Sequence, residues 1–240
     1  MPVVLMLVNF LLSFQCARNG NHRIGKRLQM LVFERVRIKV LSTTFFIASL
    51  SACGGGGSTT PQTSDVGMVQ MPKLSGNPIN LTKGITIGSP FWLDGSSPTG
   101  GRGTSINGVN CLVTEDYHIH THLAIIKNGQ MLAIPPNIGL QGCAYELHTH
   151  DKSGILHIET STYRKFTLGQ FFAVWGQPLS YANIAGISGM PVVVFINDGE
   201  VLTEYKGDLA EIELKSHRAI TIQIGTALKE IPSYKWDPNL

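Results

Sequence analysis

The chain has 240 residues, 43% of them apolar and 15% charged, with a formal charge of +3. Enough apolar side chains are present to bury a core, so collagen, a coiled coil and a wholly disordered chain are excluded. Four cysteines are too few for a disulfide-dense miniprotein.

The positive charge is concentrated at the start. Residues 1–53 carry seven Lys or Arg and one acid, Glu34; the rest of the chain comes out at −3. The hint of a nucleic-acid partner therefore disappears with the first 53 residues, and no basic patch remains to restore it. Within this segment, Arg35, Arg37 and Lys39 precede an uncharged, mostly apolar run over residues 40–50. That run is too short to span a bilayer, which needs about 20 residues. With the small residues that follow, it has the layout of a secretory signal. The string Leu50-Ser51-Ala52-Cys53 resembles the lipobox of bacterial lipoproteins. The resemblance implies removal of residues 30–52, a lipid on Cys53 and an envelope protein facing the periplasm or the cell exterior. Membrane contact is then expected through the lipid alone. Residues 1–29 hold a second short apolar run and are read as an extension upstream of a start at Met30.

In residues 53–77, Cys53 is followed by GGGGSTTPQTSD, a flexible tether. A single β-rich domain is expected over residues 78–240, with a His-rich core over residues 110–225. Ile85, Ile87, Phe91 and Trp92 suggest an early strand before a Gly-rich interruption. Strands are expected at 118–127 and 130–134 around an Asn128-Gly129 hairpin turn, and at 145–150 and 155–160 around Asp151 to Gly154.

One helix follows. Thr167 and Gln170 form a capping box, and Phe166 with Phe171 a hydrophobic staple. Leu168, Phe171, Phe172 and Trp175 form its apolar face, and Gly176 and Pro178 end it. A helix of about nine residues is not stable alone in water, so it must lie on the sheet. Further strands are expected at 192–196 and 201–205, around a turn at Asn197-Asp198-Gly199, and at 219–224. Strand pairs, then a helix, then more strands predict an α+β, β-rich domain. A β-grasp-like mixed sheet with one short helix is the first expectation, and a β-sandwich with an inserted helix the alternative.

Of eight histidines, six fall between positions 118 and 157: His118, His120, His122, His148, His150 and His157. Residues two apart on a strand share a face. His118, His120 and His122 therefore line one face, and His148 and His150 another run of the same kind. If these strands are neighbours, several imidazoles converge on one place, as a zinc, copper, nickel or iron site requires. Three histidines on one strand span about 13 Å, so one ion does not take all three. His120, His122, His148 and His150 are the favoured ligands, with His118 and His157 as further candidates. Asp151 is either a ligand, an orienting partner or a turn residue. Glu159, on the face of His157, is a candidate partner or general base. With no methionine cluster, nitrogen ligation with nearby carboxylate suits divalent zinc or copper.

Cys111 and Cys143 bracket the first histidine strand. Outside the cytoplasm such a pair is expected to form a disulfide; the rival reading gives one thiolate to a copper site.

The segments HIHTHL, IPPNIGL, LHTHDKSGILHIE and FTLGQFFAVWG, over residues 118–176, together resemble a family of bacterial exported proteins of uncharacterised activity. The resemblance implies a shared domain and carries no reaction with it. Three functions compete. The first is an envelope metal carrier, buffer or sensor, working with a periplasmic protein partner. The second is a zinc hydrolase or lyase with three histidines and water. The third is a structural lipoprotein whose histidines only hydrogen-bond. An enzyme would need a base, for which Glu146, Asp151 and Glu159 are available. No His-Glu-x-x-His, serine elbow or phosphate loop is present, so binding ranks above catalysis.

Overall fold

The structure is a computed structural model and describes residues 70–240. The leader, Cys53 and the glycine-rich start of the tether lie outside the described residues.

The long strands form one mixed sheet. Its members are β3 (Tyr117–Lys127), β4 (Gln130–Leu132), β5 (Leu147–His148), β6 (Ile155–Thr160), β10 (Val192–Asp198), β11 (Val201–Tyr205) and β12 (Arg218–Ile224), in the order β11-β10-β12-β3-β6-β5 with β4 on β3. Two parallel pairs come from the ends of the described chain: β1 (Lys73–Leu74) on β13 (Glu230–Ile231), and β2 (Ile79–Leu81) on β14 (Tyr234–Trp236). Pairing thus starts at Lys73, inside the stretch read from the sequence as tether. The helix α1 (Leu168–Trp175) precedes a small meander, β7 (Leu179–Ser180), β8 (Asn183–Ile184) and β9 (Ile187–Ser188).

The domain is α+β and β-rich, and its central pair, β3 and β12, is parallel. An antiparallel neighbour flanks each of them, β6 on β3 and β10 on β12. The helix lies between the two halves in sequence. This is the β-grasp-like mixed sheet with one short helix.

Local chemistry accounts for these elements. Asn128 and Gly129 both take positive φ, 50° and 82°, which is the turn that matches the right-handed twist of a hairpin. In α1 the Thr167 side chain accepts from the Gln170 backbone and the Gln170 side chain accepts from the Thr167 backbone, closing the capping box. Gly176 ends the helix in the left-handed conformation. Leu168, Phe171, Phe172, Val174 and Trp175 are all buried. They share one core with Leu123 and Ile125 of β3, Leu156 and Ile158 of β6, and Ile220 and Ile222 of β12.

The pleat sends the alternate residues to the opposite face. There a second, smaller core gathers Leu81, Ile87 and Ile155, with Ile79, Ile85, Tyr234 and Trp236 packed against it. The two ends of the described residues therefore cover part of the sheet face that carries the histidines.

Several expectations change. The early strand proposed over Ile85, Ile87, Phe91 and Trp92 is a strap with a single bridge, Ser89 to Leu132. Gly84 and Gly88 take positive φ, which breaks an extended run. The strand starting at Gln130 stops at Leu132, ahead of Pro135 and Pro136, which lack donors. Of residues 145–150, only Leu147 and His148 form a strand, and Tyr145 makes an isolated bridge to Cys111. Strand β10 runs through Asn197 and Asp198, taken as turn residues, because Arg218 opposite holds the Asp198 carboxylate with two hydrogen bonds of 2.7 and 2.6 Å. Strand β12, which alternates like a half-exposed strand, is buried along its whole length. Its position beside β3 in the middle of the sheet explains this.

Candidate metal centre

Register brings the histidines together. Antiparallel pairing of β3 and β6 sets His157 opposite His120 and Glu159 opposite His118. Pairing of β5 and β6 sets His148 opposite His157. His120, His157 and His148 thus form a row across three strands, and residues directly opposite have Cβ atoms about 4.5–5.5 Å apart. Just past the end of β5, the chain brings the His150 Nε2 to 3.1 Å from the His148 Nε2.

The contacts converge on His157. Its Nδ1 lies 3.3 Å from His118 Nε2, 3.2 Å from His120 Nε2 and 3.3 Å from Glu159 Oε1. One ring nitrogen either donates one proton or offers one lone pair, so it pairs fully with only one of these three atoms. Glu159 Oε1 is also 3.2 Å from His118 Nε2 and 3.6 Å from His148 Nε2. Metal–nitrogen bonds of about 2.0–2.1 Å make the edges of a tetrahedron about 3.3–3.4 Å long. The spacings around His157 are those of such a polyhedron.

Two imidazoles are aimed by partners behind them. His148 Nδ1 donates to the Tyr145 carbonyl at 2.8 Å, which turns its Nε2 inward. His118 Nδ1 meets Glu115 Oε1 at 2.6 Å, with the same effect. A backing carboxylate or carbonyl of this kind is the usual support of a metal-binding histidine. Glu115 was not singled out from the sequence. Its position three residues before the first histidine was the one available signal.

Burial disfavours the charged form of three of the rings. Burial, then the neighbouring His157 and His118, push His120 down to about 3. Burial lowers His148 to about 4 and lowers His150 as well. For Glu159, burial acts upward, but the hydrogen bond from His157 and the charges of His148 and His118 outweigh it and hold the carboxyl at about 2. Neutral imidazoles beside an ionised carboxylate are the forms that ligate metal.

His120, His148, His157 and Glu159 are buried, whereas His150 is exposed and His118 is 31% exposed by side chain. The centre is therefore embedded on one side and open on the other.

His122 stands apart. It shares the face of His118 and His120 but runs under β14, where its ring packs on Tyr234 at 3.9 Å between centroids. Its Nε2 bonds the Ser153 carbonyl at 3.0 Å. Asp151 is a turn and strap residue. Its carboxylate accepts from the Ser153 backbone at 2.9 Å and from the Gly84 backbone at 2.6 Å. Glu146 is held by Arg164, by the Asn110 backbone and by Thr160. Cys111 and Cys143 form a disulfide, with Cα atoms 5.8 Å apart. Cys53 lies outside the described residues.

These pKa shifts set an acid limit for the metal-free protein. The unfolded histidines titrate near 6.5, whereas folded His120, His122 and His148 do so at about 3, 4 and 4. Between these values the unfolded chain holds more protons. Stability is thus complete above about pH 6.5 and falls as pH drops toward 4, by at most about 1.4 kcal/mol per pH unit for each histidine. Glu159, lowered to about 2, adds a loss in the same direction at lower pH. Urea denaturation of chelator-treated protein is expected to show midpoints that fall steadily from pH 7 to pH 4.5. A flat profile would contradict neutral buried histidines.

Compared with known proteins, the chain matches no family model, no curated protein and no solved structure.

Proposed function

We propose that this protein binds a transition metal ion, zinc or copper, through the centre around His157, as a carrier, buffer or sensor in the bacterial envelope. The observation that carries the proposal is the convergence of His118 Nε2, His120 Nε2 and Glu159 Oε1 on the single His157 Nδ1 at 3.2–3.3 Å. One ring nitrogen makes one strong hydrogen bond, so protons leave most of these contacts unpaired, whereas positive charge placed among the donors attracts them all. Nitrogen donors with one ionised carboxylate suit Zn(II) and Cu(II).

The open side, at His118 and His150, favours exchange over permanent retention. Structural zinc sites are closed by four protein ligands, whereas an accessible site lets an ion enter and leave. The location rests on the sequence: the basic region and apolar run before Leu50-Ser51-Ala52-Cys53 support export and a lipid anchor at Cys53. The described domain would then stand off the membrane on its tether and exchange metal with a periplasmic protein partner.

The test is metal content and thermal stability of untagged, periplasmically expressed protein beside a His120→Ala/His148→Ala variant. The wild type is expected to retain stoichiometric zinc or copper and to gain stability when the ion is restored after chelation. The variant should do neither. Equal, substoichiometric metal in both proteins would reject the proposal.

A further inference from the structure

The donor atoms are too many and too spread for one ion. His148, His150, His157 and Glu159 form one set in which all donor atoms lie within 4.8 Å of one another, and His118, His120 and His157 form another. Among the described residues, no such set unites all five histidines. Two donors bound to one ion with bonds of about 2.1 Å stand no more than about 4.2 Å apart. One ion position therefore does not reach every imidazole that the sheet presents.

We infer that the centre holds two metal ions side by side, a deepening that rests on the metal-binding reading above. One position is bounded by His148 Nε2, His150 Nε2 and the Glu159 carboxylate, the other by His118 Nε2, His120 Nε2 and His157 Nδ1. Glu159 stands between the two positions, since its Oε1 is 3.2 Å from His118 Nε2 and 3.6 Å from His148 Nε2. A carboxylate so placed can give one oxygen to each ion, and its negative charge offsets part of their repulsion. The two His-x-His pairs have matching roles: each supplies two Nε2 atoms to one position. Each pair also has one ring held from behind, His118 by Glu115 and His148 by the Tyr145 carbonyl.

The two positions differ in access and charge. Glu115 adds negative charge beside His118 only. The ions should therefore bind in sequence, the second more weakly because it enters a site already charged.

The experiment is calorimetric titration of chelator-treated, untagged protein with Zn(II) alone, with bound metal counted after gel filtration. Two zinc ions per chain are expected in the wild type. His150→Ala and His120→Ala should each retain one, and His122→Ala should retain two. His150 is exposed, so its variant is not endangered by core damage. One zinc in the wild type, with either variant abolishing it, would overturn the two-ion inference and leave metal binding standing. No zinc bound to folded wild-type protein would overturn both.

Discussion

Replacing His157 with alanine is expected to lower Zn(II) affinity by more than about 100-fold, beyond the 10–100-fold that loss of an outer-shell partner costs. The reason is position. His157 sits mid-row between His120 and His148 and belongs to both donor sets. Its removal takes a donor from the His118/His120 position and frees Glu159, which lies beside the other, from the contact that helps to hold its carboxyl ionised. His122→Ala is the matched control. It removes an equally buried imidazole from the same sheet face, but one whose ring is under Tyr234. It should leave zinc affinity unchanged while costing about 1–3 kcal/mol of stability through the void it opens. Competition against a chromophoric chelator measures the first quantity and urea denaturation the second. Equal loss of affinity in the two variants would refute the assignment of His157 as the central ligand.

Removing the Cys111–Cys143 disulfide, as Cys111→Ser/Cys143→Ser, is expected to cost about 3–4 kcal/mol of stability. The bond joins residues 32 apart, and a closed loop of that length removes a corresponding share of unfolded-state entropy. It also ties the segment before β3 to the segment before β5. Around it, Cys111 bridges Tyr145, and the Asn110 backbone donates to Glu146. Tyr145 in turn supplies the carbonyl that orients His148. The double variant should therefore unfold at lower urea and also bind zinc more weakly, through a less firmly aimed His148. A variant with unchanged stability would show that burial of the surrounding core alone holds this end of the sheet.

Much of the fold was legible because local chemistry decides it. Residues 167–176 show their capping box, apolar face and terminating glycine in the sequence, and α1 follows them closely. Strands β6 and β11 coincide with their apolar runs, and Asn128-Gly129 marks the hairpin turn. What misled was also local. Ile85, Ile87 and Trp92 look like a strand because they are apolar and closely spaced, but they pack as a strap whose single bridge is Ser89 to Leu132. Asn197 and Asp198 look like a turn because of their residue types, yet Arg218 across the sheet keeps them extended.

The sequence by itself determined that histidines would be numerous and set two apart in two runs, the first of them along one strand. It also determined that a metal would meet nitrogen donors and that Cys111 and Cys143 were available to pair. Only the tertiary structure decided which histidines meet. Spacing along a strand fixes the face of a side chain but not the strand beside it, the register of their pairing or what covers that face. Register placed His157 between His120 and His148 and made it central. The pairing of β2 with β14, from the two ends of the described residues, laid Tyr234 over His122 and withdrew it from the group. Both outcomes depend on contacts between residues far apart in the chain, and so no local pattern could announce them.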